Sequence, residues 1–168
     1  RVGAFCDTNG LDAAALFVLY LCSAEFVAPR EVDFVKQLIH EIRGSADPEV
    51  RSCGVLVRPH PAHGKQWRNE KLHGDYPVSI WSEKETMNAD QGLYDSLHHA
   101  AAVVGLNTSA MIEAGILGRP VHTIVSKDFA GGQEQTLHFG YLRAQNGGLL
   151  HEAHGFDDHL QQIGASLR

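Results

Sequence analysis

The chain lacks a basic run, and its 14 Lys and Arg residues are outnumbered by 20 Asp and Glu residues. A net charge of −6 argues against a nucleic-acid surface, because phosphate binding needs clustered cations. The sequence also lacks an apolar run of membrane-spanning length. The longest run, 13–22, has about ten residues, which suits a buried strand, and its flanks do not resemble those of a signal peptide.

Paired cysteines and metal-ligand spacings are also missing. The three cysteines, Cys6, Cys22 and Cys53, are odd in number, which fits reduced thiols in a cytosol. The 11 histidines are scattered, and none falls into H-E-x-x-H or a zinc-finger pattern. We therefore interpret them as surface and core histidines, and we expect no metal.

Two nucleotide-binding signatures are absent, since the chain has neither G-x-G-x-x-G nor G-x-x-x-x-G-K-[ST]. This excludes a standard dinucleotide site and a P-loop. What is present is a globular composition, with 43% hydrophobic residues in a length of 168, enough for one domain with its own core. The first residue is Arg1 and not Met, which suggests a fragment of a longer protein.

The order of apolar patterns predicts alternating strands and helices. This alternation is typical of a parallel sheet with helices on both faces, a three-layer Rossmann-like α/β domain spanning 1–168. The segment 1–12 is ambiguous, and 44–50, 63–76 and 82–91 are predicted to be loops, with one helical turn allowed in 63–76. Strands are predicted at 15–22, 54–58, 77–81, 102–106, 121–125 and 149–151, and helices at 31–43, 92–101, 108–117, 133–144 and 156–167.

The stretch 102–121 carries most of the functional signal. An apolar strand is followed by Asn107, Thr108 and Ser109, whose side-chain oxygens cap free N–H groups at a helix start. Gly118 and Pro120 then mark the helix end. Strand-to-helix switches of this kind leave N–H groups at the carboxyl edge of the sheet, where α/β folds bind anions and nucleotides.

Glu113 stands out within that helix. If Ser109 is the N-cap, the reciprocal position of a capping box is Ile112, so Glu113 is not explained as its partner. The remaining helix positions are apolar, so an ionised carboxylate there should be paired or face a cleft. The alternative is that Glu113 only complements the helix dipole.

His60 is the candidate catalytic residue. It follows the predicted strand 54–58 and lies between Pro59 and Pro61, which restrict the backbone on both sides. Loops at strand ends carry the ligand groups of α/β sheets, so we expect His60 to face the same crevice as Ser109. The alternative is an ordinary turn in which His60 packs passively.

Two motifs together resemble the C-terminal, donor-binding half of GT-B glycosyltransferases. They are Arg58-Pro-His-Pro61 after one strand and Asn107-Thr-Ser-Ala-x-x-Glu-Ala, followed by Gly118-Arg-Pro-Val121, after another. They are most similar to bacterial CDP-glycerol glycerophosphotransferases, Kdo transferases of capsule export and polysialyltransferases. Those families share a His-Pro motif and a Ser motif implicated in holding a cytidine nucleotide, and the UDP-N-acetylglucosamine 2-epimerases share the fold. The resemblance covers about 55–168.

The resemblance implies one half of a GT-B fold, with an acceptor-binding domain missing from this chain. It implies that Thr108 and Ser109 bind the donor diphosphate, that Arg58 or His60 supplies positive charge, and that no metal cofactor is needed. Glu113 would accept hydrogen bonds from ribose hydroxyls. Glu134 and Gln135 would contact the sugar or glycerol.

The donor would be a CDP-, CMP- or UDP-linked sugar or CDP-glycerol, used in surface polysaccharide synthesis. The general base and the glycan acceptor would belong to the missing domain, so the isolated domain is expected to be inactive. We expect a cytoplasmic location, with any association with the inner membrane face coming through the missing half. The alternatives are a non-catalytic nucleotide-sugar-binding or interaction module, and a UDP-sugar 2-epimerase-like domain.

Overall fold

A computed structural model describes residues 2–72, 74–82 and 89–168, which form an α/β domain around one parallel sheet. The strands of this described part are β1 (Phe17–Leu21), β2 (Gly54–Arg58), β3 (Val78–Ile80), β4 (Ala102–Gly105), β5 (Val121–Ile124) and β6 (Leu150–Ala153). Their order across the sheet is β3-β2-β1-β4-β5-β6, and all five pairings are parallel. This is the doubly wound order of Rossmann folds.

Helices cover both faces of the sheet. They are α1 (Val2–Thr8), α2 (Glu31–Gly44), α3 (Pro48–Ser52), α4 (Ala89–His99), α5 (Ala110–Ile116), α6 (Ala130–Gln133), α7 (Leu137–Leu142) and α8 (Phe156–Leu167). Short 3₁₀ helices occur at Pro61–Trp67, Lys127–Phe129 and Ala144–Asn146. No helix in the described ranges is long and apolar enough to cross a membrane.

Two apolar clusters separate the three layers. One packs α1, α4, α5 and α7 against one face of the sheet, with Phe5, Leu97, Met111 and Phe139 all buried. The other packs α2, α3 and α8 against the opposite face, with Val35, Leu38, Val50 and Ile163 buried. Successive strand residues alternate between the clusters, as the two-residue period of a strand requires. The predicted three-layer Rossmann-like class is therefore confirmed.

Helices occur in three segments where the sequence did not predict them. The ambiguous segment 1–12 contains helix α1, and the predicted loop 44–50 contains the start of α3. Asp47 caps α3 by accepting a hydrogen bond from the Glu49 N–H at 3.0 Å, and Pro48 occupies the first turn. Of the predicted loop 82–91, residues 89–91 belong to α4, and 83–88 lie outside the described residues.

The predicted helix 133–144 is wrong, because the chain there forms α6, a turn, and α7. Gln133 turns its side chain inward, where Nε2 donates to the carbonyl oxygens of Leu106 at 3.1 Å and Ile124 at 2.9 Å. Thr136 Oγ1 accepts a hydrogen bond from Asn107 Nδ2 at 2.6 Å. These side-chain bonds anchor the segment to the ends of β4 and β5, and they replace a continuous helix.

Candidate functional site

The carboxyl edge of the sheet has a topological switch point between β1 and β4. The last residue of β1, Leu21, aligns with Arg58 of β2 on one side and Gly105 of β4 on the other. From β1 the chain crosses toward β2 and β3, and it then returns to add β4 and β5 on the opposite side. A crevice forms outside the strand ends at such a reversal, and it is the usual ligand site of the fold class.

His60 is held at this edge. Its Nδ1 atom accepts a hydrogen bond from the Ala62 N–H at 3.2 Å, so the ring caps the following 3₁₀ helix. The ring is partly buried. Burial, and then the neighbouring His63, lower the pKa of His60 below its ordinary value, so the ring is neutral in the free protein near pH 7.

A cavity of about 140 Å³ joins His60 to Thr108, and we call it the switch-point cavity. His60 comes from the end of β2, Thr108 from the end of β4 and Cys22 from the end of β1, while Asp90 and Leu93 of α4 also line it. The structure thus brings the two sequence motifs together across the switch point. Ser109 is exposed, is already in a helical conformation, and makes no capping hydrogen bond with its side chain.

A second cavity of about 470 Å³ adjoins the first, since both are lined by Arg58, Pro59, His60 and Pro61. We call it the basic cavity, because Lys65 and Arg68 also line it and none of its described lining residues is acidic. Cationic groups collected in a concave surface raise the local concentration of anions. In a chain of net charge −6 this grouping points to an anionic ligand.

Arg58 lines both cavities, but protein groups already engage its guanidinium. That group stacks over the Trp81 ring at 4.5 Å from the ring centroid. One nitrogen donates to Ala89 O at 3.3 Å, and another donates to Ser96 Oγ at 3.4 Å. Arg58 therefore ties the ends of β2 and β3 to α4, and this contribution to the crevice wall was not predicted.

The other predicted binding residues lie outside these two cavities. Glu113 is exposed, which corrects the expectation of a carboxylate needing a partner or a cleft. That expectation failed because α5 buries only Met111 and Ala114, so its outer face is hydrated. Glu134 and Gln135 are also exposed, and their buried neighbour is Gln133. The ligand roles of Glu113, Glu134 and Gln135 stay predictions.

Sequence reasoning missed a buried polar network behind the switch-point cavity. Asn107 is 2% exposed, and its N–H donates to Ser23 Oγ at 3.3 Å. Its side-chain Nδ2 donates to Gly132 O at 2.8 Å, and its Oδ1 lies 2.7 Å from His138 Nε2. The sequence signal was present in Asn107-Thr108-Ser109, but it was interpreted only as helix capping.

The same network contains Glu31, the first residue of α2, which is fully buried. Both carboxyl oxygens accept hydrogen bonds from the Ser23 N–H, at 3.0 and 2.8 Å, and Tyr20 OH donates to one of them at 3.0 Å. Burial raises the pKa of Glu31 to about 7, against the opposing effect of these hydrogen bonds. No sequence signal distinguished Glu31 from an ordinary acidic residue in a first helical turn.

A further cavity lies away from this crevice. A cavity of about 560 Å³ near the ends of β5 and β6 is lined by Phe34, Phe129 and Phe156, among others. In the described part of the chain, no group of three or more His, Cys, Asp or Glu residues is arranged to hold a metal ion. The three cysteines are free and buried.

The fold and the switch-point crevice define the chain as a Rossmann-like α/β domain. Its structure is similar to that of the UDP-GlcNAc 2-epimerase from Methanocaldococcus jannaschii, with a TM-score of 0.62 and 17% sequence identity. The match covers 99% of this chain and 42% of that one, so the chain spans less than half of its structural neighbour. No family model and no curated protein matches the sequence. At this identity the similarity shows the fold alone.

Proposed function

We propose that this chain is the donor-binding half of a GT-B-type enzyme, which binds a CDP-, CMP- or UDP-linked donor at the switch point. The observation that carries the proposal is the joined crevice in which His60 and Thr108 share one cavity and Lys65 and Arg68 line the next. A diphosphate needs fixed donors and positive charge in a concave site, and this crevice offers both. The fold of the UDP-GlcNAc 2-epimerase also supports a nucleotide-sugar ligand.

In this proposal the diphosphate lies between Thr108 and His60, where a bound anion favours the cationic imidazolium. Arg58 fixes α4 against the ends of β2 and β3 beside the cavity. Lys65 and Arg68 provide the surrounding positive potential. Ser109 and the exposed Glu113, Glu134 and Gln135 would contact parts of the donor that extend beyond the two cavities. We propose further that the reaction is glycosyl or glycerophosphoryl transfer in surface polysaccharide synthesis, with the acceptor on a second domain.

Isothermal titration calorimetry of the domain with UDP, CDP and CMP tests the binding proposal. His60→Ala should weaken binding by roughly 1–3 kcal/mol at a pH where the bound imidazole is protonated, since one charge-assisted hydrogen bond is lost. The matched control is His40→Ala on α2, where the histidine is exposed. Absence of binding by all three nucleotides, or equal loss in both variants, would refute the assignment.

The pH dependence gives a second readout. The free-state pKa of His60 is below its ordinary value, and a bound anion raises it. Affinity should therefore be highest below the free-state pKa and fall as pH rises through the bound-state pKa. His60→Ala should remove this component, and unchanged dependence in that variant would contradict the role of His60.

A UDP-sugar 2-epimerase is the second candidate, because the protein with the similar fold is a UDP-GlcNAc 2-epimerase. The two enzyme classes differ in product, so incubation of the full-length protein with UDP-GlcNAc discriminates between them. Formation of the 2-epimer without an acceptor supports the epimerase. Turnover only with a glycan acceptor supports the transferase, and binding without turnover supports a non-catalytic module.

A further inference from the structure

The buried carboxyl group of Glu31 accepts hydrogen bonds from Ser23, the residue next to Cys22 in the lining of the switch-point cavity. Its hydrogen-bond partners are the Ser23 N–H, the Ser23 hydroxyl and Tyr20 OH, and no Lys or Arg in the described residues forms an ion pair with it. A fully buried carboxylate without a cationic partner is held in its charged form only by such hydrogen bonds. Its protonation state is therefore sensitive to any charge that enters nearby.

Two short connections link Glu31 to the switch-point cavity. The first is through Cys22, which lines that cavity and whose thiol pKa is raised by burial and by the charge of Glu31. The second is through Ser23, whose Oγ accepts the Asn107 N–H, and Asn107 directly precedes the cavity residue Thr108. One carboxyl group thus contacts the turn after β1 directly and the turn after β4 through Ser23.

We propose that Glu31 is a positioning residue for the nucleotide site, and that its carboxyl group takes up one proton when a diphosphate enters the switch-point cavity. The inference rests on the proposed function. A diphosphate in front of the carboxylate places two like charges on either side of Cys22 and Thr108, and protonation relieves their repulsion. The proton comes from solvent, and the only bond formed is the O–H bond of the carboxylic acid.

Several other ionisable groups lie near Glu31, and each must be considered as an alternative site for the proton. Tyr20 of β1 and Cys22, which directly follows β1, interact with the charge of Glu31, and both have raised pKa values, so both are protonated near pH 7. On α2 itself, Arg30 and Asp33 pair with each other at 2.6 Å on the exposed surface. From α7, His138 connects through Asn107.

From the segment after β2, the backbone N–H of His60 interacts with the Cys22 thiol. His60 titrates below its ordinary value in the free protein, whereas Glu31 titrates at about 7. Both groups gain protons when an anion binds, so variants must distinguish their contributions.

The experiment measures UDP affinity of the domain from pH 5.5 to 8.5, with proton uptake obtained by calorimetry in two buffers of different ionisation enthalpy. For wild type, affinity should fall above pH 7, by up to about tenfold per pH unit for each linked proton. Glu31→Gln carries a permanently neutral group of the same shape, so the fall between pH 7 and 8 should shrink to the part contributed by His60. His60→Ala should lose the imidazole contribution and keep the fall that belongs to Glu31, and the double variant should change by less than about twofold between pH 7 and 8.

Tyr20→Phe keeps the volume and removes one hydrogen bond that favours the charged carboxylate, so the midpoint of the fall should move to higher pH. A purely structural role for Glu31 would change affinity without moving this midpoint. The matched control is Asp33→Asn, the same carboxyl-to-amide change at an exposed position of α2, and it should leave the profile unchanged.

Two results overturn the inference. The first is a pH profile of Glu31→Gln equal to that of wild type. The second is a midpoint of Tyr20→Phe that does not move, and this result alone is sufficient if Glu31→Gln does not fold. In both cases the proposed function survives, because UDP still binds. If UDP, CDP and CMP all fail to bind the wild-type domain, the proposed function fails and this inference fails with it.

Discussion

Two buried histidines, one on β5 and one on α8, make us expect that the domain loses stability in acid. His122 of β5 is 1% exposed and His159 of α8 is fully buried. His122 Nε2 lies 3.0 Å from Ser166 Oγ, whereas both ring nitrogens of His159 have no hydrogen-bond partner among the described residues. Burial is the main cause that lowers the pKa of His122 to about 4 and that of His159 to about 3, and a neighbouring imidazole adds to each shift.

Stability falls with falling pH because the unfolded chain binds these protons before the folded one does. As pH falls below about 6.5, each histidine takes up a proton in the unfolded chain but not in the folded one, so stability is lost until the folded-state pKa is reached. Between pH 7 and 5 the loss is about 2 kcal/mol for each histidine. Glu31 acts oppositely, because its raised pKa of about 7 makes the folded state bind the proton first. Its protonation therefore increases the free energy of unfolding by about 2 kcal/mol as pH falls from 7 to 5.

The net loss for wild type between pH 7 and 5 is therefore about 2 kcal/mol from these three groups, a large part of the ordinary stability of a domain. His159→Leu should remove one histidine contribution and reduce this loss to near zero. It should also raise stability at pH 7, since it replaces an unpaired buried imidazole by an apolar group of similar size. Urea unfolding followed by circular dichroism at pH 7 and 5 measures both effects.

The matched control is His40→Leu, at an exposed position of α2, which should leave the pH dependence of wild type unchanged. The reasoning is refuted if His159→Leu loses as much stability between pH 7 and 5 as wild type does. It is also refuted if His40→Leu changes the dependence as much as His159→Leu.

The remaining predictions concern the segments around the crevice. Gln133→Ala should cost about 1–3 kcal/mol of unfolding free energy, because it removes the hydrogen bonds to the Leu106 and Ile124 carbonyl oxygens, of which that of Leu106 keeps only the Thr123 hydroxyl as a side-chain donor. Gln135→Ala at an exposed position should change the unfolding free energy by no more than about 0.5 kcal/mol. Urea titration distinguishes them, and equal effects would contradict the anchoring role of Gln133. Arg58→Ala should lower the melting temperature by removing the stacking on Trp81 and two hydrogen bonds, and it should shift the Trp81 fluorescence; an unchanged spectrum would show that the stacking is absent in solution.

The sequence predicted the fold well where apolar periodicity is strong. Strand β2 and helix α8 have the predicted bounds, because each element is fixed by its own amphipathic or buried pattern. The segment 133–144 failed for the opposite reason. Its helix propensity is overridden by the buried side chain of Gln133, whose acceptors belong to β4 and β5.

In the candidate site, too, residues with local sequence signals were predicted, and residues defined by distant contacts were not. His60 and Thr108 were predictable, since strand ends and flanking prolines are local signals. Glu31 and Asn107 were not, because their contacts join residues far apart in sequence; the bond from Asn107 N–H to Ser23 Oγ spans 84 positions. Neither residue type nor spacing reveals such a contact until the strand order is known. Glu113 was misjudged because its helix has an exposed face that the apolar composition concealed.

The measurement that tests the central claim most directly is a nuclear magnetic resonance titration of the ¹⁵N-labelled domain with UDP or CDP. If the donor binds at the switch point, the largest shifts should fall on the backbone amides of Cys22, His60 and Thr108, which line the switch-point cavity. Shifts concentrated instead around Phe129 and Phe156, in the cavity near the ends of β5 and β6, would contradict the account. So would the absence of any shift at millimolar nucleotide.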